Sequence, residues 1–98
     1  MIVVKRANSS VKITGHAGYA EPGKDIVCAG VSTLVQTLIV SLDMLTPGAL
    51  ESTEIKPGYT EIKHRNLSGH AKILLDSFFI GVNLIANKYP ENVKIKYE

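Results

Sequence analysis

The chain has 98 residues, enough for one domain with a single modest core. Hydrophobic residues make up 45% and charged residues 20%, which excludes a disordered chain. The net charge of +2 comes from basic residues scattered from Lys5 and Arg6 to Lys94 and Lys96, so no dense basic face for nucleic acid is expected.

Met1 to Ala7 reads as a strand, on the β-branched Ile2, Val3 and Val4. Asn8-Ser9 is a two-residue turn. Ser10 to Ala17 follows as a second strand, with Val11 and Ile13 alternating against Lys12 and Thr14. Gly18 to Lys24 is a loop, broken by Gly18, Pro22 and Gly23. Asp25 fits the N-cap of a helix, because its carboxylate can accept from the unpaired amides of a first turn. That helix runs from Ile26 to Leu45, with Val27, Val31, Leu34, Val35, Leu38, Leu42 and Leu45 on one face, and Pro47-Gly48 ends it. Glu51 to Lys56 and Tyr59 to Arg65 are strands around a Pro57-Gly58 turn. A second helix, capped by Ser68, runs to Lys88 and turns Ala71, Leu74, Leu75, Phe78, Val82 and Ile85 inward. Pro90 stops it, and Val93 to Tyr97 is a last short strand. The order ββαββαβ predicts an α+β two-layer sandwich, two helices packed on a sheet, with residues 1–98 as one domain.

From Ile26 to Leu42 no residue is charged, which is close to the shortest span that crosses a bilayer. Ser32, Thr33, Gln36, Thr37 and Ser41 interrupt it, and a bilayer tolerates such groups poorly. A helix buried in a compact protein is expected, with no membrane partner. The start, Met1 to Arg6, has its charges behind a short apolar run, the wrong order for a secretory signal, so the cytoplasm is the expected location. Ile26, Ile39, Ile73, Phe79 and Ile80 fall outside the inner faces, and this surplus predicts a homodimer.

The chemistry concentrates in one segment. His16 ends a strand, and Cys28, the one cysteine, stands twelve positions later in the first turn of a helix. A cysteine attacks as thiolate, and a helix N-terminus supplies free amides and partial positive charge that favour it. A histidine in reach can take the thiol proton and later give it to a leaving amine. The free amides could also hold the oxyanion of an acyl-transfer intermediate. Asp25 can cap the helix or orient His16 as a third group, and the two roles compete for one carboxylate. Ser32, one turn beyond Cys28, can bond near the thiol or the substrate, or back-bond to its own helix. The loop from Gly18 to Lys24, with Gly18 and Gly23 as its breaks, is expected to be a mobile lid, and Tyr19 is its one large side chain available to close on a peptide.

The bland alternative for Cys28 is a small buried hydrophobe, and for His16 a satisfied strand-end side chain. His64, between Lys63 and Arg65, is expected to face solvent, and His70 lies in the first turn of the second helix. The spacing of His16, Cys28, His64 and His70 matches no closed zinc pattern, so neither a metal nor a cofactor is expected.

Gly15-His16-Ala17 followed by Gly23-Lys24-Asp25-Ile26-Val27-Cys28-Ala29-Gly30-Val31-Ser32 resembles the signature of the ribosomal-processing cysteine protease family Prp, also called YsxB-like. The resemblance spans nearly the whole chain in length and element order, and its specific part is this segment. It implies a bacterial or phage enzyme that removes a short N-terminal extension from ribosomal large-subunit protein twenty-seven, cutting after a bulky aromatic residue. It places the nucleophile at Cys28, its histidine at His16, and the family aspartate and serine at Asp25 and Ser32. It also implies a homodimer. Two other functions fit the residues alone: a non-catalytic ribosome-assembly or ribosome-associated binding protein with a structural Cys28, and another thiol enzyme such as a small acyltransferase or hydrolase. A thiol alkylator separates the enzymes from the binding protein, and peptide cleavage separates the protease from the other enzymes.

Overall fold

The β-branched runs at the start of the chain form β1 (Ile2–Arg6) and β2 (Ser10–Thr14), an antiparallel pair in which Val4 stands opposite Ile13. The turn between them closes with the Ala7 amide donating to the Ser10 carbonyl at 2.9 Å. The computed structural model describes residues 1–65 and 68–98, and continues with α1 (Ile26–Leu45), β3 (Leu50–Lys56), β4 (Tyr59–His64), α2 (Gly69–Lys88) and β5 (Val93–Tyr97). The order is ββαββαβ, as the sequence predicts.

The five strands form one sheet in the order β3-β4-β2-β1-β5. β4 pairs antiparallel with β2, Thr14 opposite Tyr59, and β5 pairs parallel with β1. This register carries the β3–β4 turn to the end of β2 where His16 follows. Ile2, Val4, Val11, Ile13, Ile62 and Val93 turn one face of the sheet into the core, and both helices lie on it. From α1 come Val27, Val31, Val35, Leu38 and Leu42; from α2 come Ala71, Leu75, Phe78, Phe79 and Val82. Removing apolar area of this kind from water stabilises by roughly 25 cal/mol per Å².

At Leu45 and Phe79 the core differs from the expected one. Leu45 is 67% exposed, while its neighbours Leu42 and Thr46 hold the buried positions at the end of α1. Phe79, assigned to the surplus surface, is 3% exposed. It packs edge-on to Phe78, with its centroid 6.4 Å from that of Tyr97 and the Arg6 guanidinium 4.6 Å above it. Strand β5, beyond β1, widens the surface that α2 covers. Arg6 also donates to Asp76 at 2.7 Å, tying β1 to α2. Both helices are long and apolar enough to cross a membrane by length and composition alone. Here each lies along the sheet with one face in the core, while Ile26, Ile73, Ile80 and Leu84 remain exposed.

Candidate active site

Gly15 leaves β2 at φ +88°, and its amide donates to the Gly58 carbonyl at 2.9 Å. A side chain at position 15 would run into the carbonyl of Met1, so only glycine turns the chain here. His16 comes next, exposed, and Ala17 behind it is buried with its carbonyl accepting from the Asn92 side chain at 2.9 Å. The imidazole therefore projects from a tightly held strand end.

Cys28 is partly buried at the third position of α1. Asp25 is the N-cap, and its Oδ1 accepts from the Cys28 amide at 2.9 Å. Its Oδ2 accepts from the amides of Tyr19 at 3.0 Å and Ala20 at 3.2 Å. The Cys28 amide lowers the Asp25 pKa most, with the Ala20, Tyr19 and Val27 amides adding to it. Both oxygens are thus engaged with backbone. Asp25 takes the capping role, binds the loop to the helix, and leaves the ring of His16 without a bond to it. It also occupies the Cys28 amide and draws on that of Val27, so the first-turn amide it leaves for an oxyanion is that of Ile26.

Two hollows meet at Cys28. The first, about 350 Å³, lies between α1 and the β3–β4 hairpin, walled by Ile13, Val31, Val35, Ile39, Ile55 and Tyr59, with Gln36, Lys56 and Thr60 as its polar edge. The second, about 650 Å³, lies between the loop and the start of α1, and is lined by small residues, Gly18, Ala20, Gly23 and Ala29, with Ile26. His16, Cys28 and Ser32 line both. Thr33 back-bonds to the Ala29 carbonyl at 2.8 Å, whereas its neighbour Ser32 faces the cleft.

Tyr19 is placed away from both hollows. Its ring meets that of Tyr89 edge-on, centroids 5.2 Å apart, which ties the loop to the end of α2. His64 is 2% exposed, not solvent-facing: two positions after buried Ile62, it shares the inward face of β4. His64 and His70 border a larger hollow of about 870 Å³ at the far end of α1, which contains neither Cys28 nor His16. Among the described residues no group of three or more His, Cys, Asp or Glu could hold a metal ion. The sequence reading missed the hairpin wall, Ile55, Tyr59 and Gly58. The Pro57-Gly58 turn was its only signal, and a turn does not reveal which distant residue it faces.

The family model described as Cysteine protease Prp matches residues 1–94. The ribosomal processing cysteine protease Prp of Mycoplasma genitalium is 29% identical over 100 residues, covering 100% of this chain and 97% of that protein. That of Staphylococcus aureus is 26% identical over 92 residues, covering 92% of this chain and 87% of that protein. The crystal structure of the S. aureus protease with a covalently linked product peptide superposes with a TM-score of 0.93 at 25% identity, over 100% of both chains. A match of this extent, over a fold that brings the one cysteine and a histidine to one cleft, places the chain in the Prp family of cysteine proteases.

Proposed function

We propose that this chain is the cytoplasmic ribosomal-processing endopeptidase of its host, one domain that removes the N-terminal extension of ribosomal large-subunit protein twenty-seven after a bulky aromatic residue. The observation that carries the reading is the pair of hollows sharing His16, Cys28 and Ser32, one apolar and one lined by small residues. The relatives' names, ribosomal processing cysteine protease, support the substrate class.

In this reading His16 accepts the Cys28 proton and Sγ attacks the scissile carbonyl. The Ile26 amide, which Asp25 leaves unengaged, is the first-turn donor for the developing oxyanion. Protonated His16 then gives its proton to the leaving amine as the C–N bond breaks, leaving a thioester on Cys28. Water, deprotonated by His16, hydrolyses the thioester and restores the thiol. The apolar hollow takes the aromatic side chain before the scissile bond, and Ser32 stands at the junction to hold substrate or thiol. Neither a cofactor nor a metal enters this sequence. The exposed stripe Ile73, Ile80 and Leu84 on α2 supports a homodimer.

The test is incubation with the precursor ribosomal protein, read by intact mass, with Cys28→Ala as blank. Loss of the extension by the wild type alone is expected. Cleavage by Cys28→Ala would refute the mechanism, and an uncut precursor would refute the substrate.

A further inference from the structure

A catalytic histidine needs something to hold its ring, and in triads a carboxylate does so. Here Asp25 has both oxygens bonded to backbone amides. Among the described residues no hydrogen bond fixes the His16 ring. Gly58, on the turn between β3 and β4, lies beside it in the apolar hollow, and its missing side chain leaves the ring its place. A Cβ built on Gly58 would lie 3.0 Å from His16 Nε2, 3.5 Å from Cε1 and 3.7 Å from Cδ2. The first of these is closer than an ordinary van der Waals contact, so any side chain there must push the imidazole by a few tenths of an ångström.

We propose that Gly58 is the positioning residue of the dyad: its bare Cα is the surface on which the His16 imidazole is set. The inference rests on the reading of His16 as base to Cys28. Two features make the surface firm. The Gly58 carbonyl accepts from the Gly15 amide at 2.9 Å, so the turn and the root of His16 are bonded to each other directly. Thr14 pairs with Tyr59 one position further on, which fixes the register of that bond. Backbone from a distant hairpin thus does sterically what a carboxylate does by hydrogen bonding in a triad.

Gly58 also sits at φ +70°, where side chains are strained, so the test must separate strain from contact. Gly48→Ala supplies the control. Gly48 has φ +89° and nothing within 4 Å of a built Cβ, so it carries the strain without touching His16. Gly58→Asn supplies the second variant, because asparagine accepts the left-handed region and still carries the Cβ. The expected result is a fall in kcat of about tenfold or more for Gly58→Ala and Gly58→Asn, since displacements of this order spoil near-attack geometry. KM should change far less, the pH profile of kcat should shift, and Gly48→Ala should turn over like the wild type. A folded Gly58→Asn with wild-type kcat and pH profile overturns the proposal. So does an equal loss in Gly48→Ala, which would assign the effect to backbone strain. Wild-type turnover in His16→Ala would instead refute the dyad itself, and the role of Gly58 with it.

Discussion

At the residue scale, the site is built on competition for a few backbone amides. Asp25 accepts from Cys28, Tyr19 and Ala20, so one side chain joins the helix that carries the nucleophile to the loop beside it. Replacing it with asparagine separates the two functions. An amide oxygen still caps the helix, but the NH2 group that replaces Oδ2 donates and cannot receive the Tyr19 and Ala20 amides. Asp25→Asn should keep its thermal midpoint near wild type while amide exchange at Tyr19 and Ala20 accelerates; unchanged exchange would mean that the loop is held elsewhere. The same bonds set an acid response. Asp25 is held below the ordinary 3.8 by the Cys28 amide, and Asp76 below it by Arg6. Carboxylates with lowered folded values stabilise the fold fully above the unfolded value and lose that contribution as pH falls through the folded one. Unfolding by acid should therefore begin below about pH 4, and its slope should flatten in the double variant Asp25→Asn, Asp76→Asn. The Asp25 cap and the place of Cys28 in the first turn of α1 were legible in the sequence, because helix start and cap leave local signals. The outward turn of Tyr19 and the burial of His64 were not, since each depends on a partner element distant in the chain.

At the element scale, α1 and the β3–β4 hairpin wall the apolar hollow beside Cys28. If the apolar hollow between them takes the aromatic side chain, replacing that residue of the substrate by alanine removes burial worth roughly 2–4 kcal/mol. That is a loss in kcat/KM of about thirtyfold to eight-hundredfold, measurable on a short peptide series. Ile55→Asp should narrow the difference by setting a charge in the wall. Equal cleavage of phenylalanine and alanine peptides would leave the hollow without a role. Toward the other edge of the sheet, Phe79 joins α2 to β1 and β5, and Phe79→Ala should cost about 3–5 kcal/mol in urea unfolding. Periodicity with the caps Asp25 and Ser68 and the breakers Pro47 and Pro90 located both helices, which run Ile26–Leu45 and Gly69–Lys88. It misjudged Phe79 because the buried arc of a helix depends on how far the sheet extends beneath it. The strand order β3-β4-β2-β1-β5 is a property of pairing between remote segments, and no local pattern encodes it.

At the scale of the whole molecule, one layer of helices on one sheet leaves each helix an outer face. On α2 that face carries Ile73, Ile80 and Leu84, each about two-thirds exposed. A second copy packed on this stripe would cover it, and Ile80→Glu should convert a sedimenting dimer to a monomer without changing the far-UV spectrum. A wild type that sediments as a monomer at micromolar concentration would remove the dimer from the proposal.

The contact between Gly15 and the Met1 carbonyl also bears on how the enzyme can be handled. Met1 lies against the pivot from which His16 projects, so an affinity tag or fusion partner added ahead of it loads that pivot directly. Glu98 lies at the opposite end of the sheet, its amide donating to the Arg6 carbonyl at 2.8 Å, beyond the Arg6–Tyr97 pair. A handle placed there is separated from the base by the length of β1, about 15 Å. Turnover measured on C-terminally tagged protein should match the untagged enzyme, and an N-terminal tag should depress it until cleaved away.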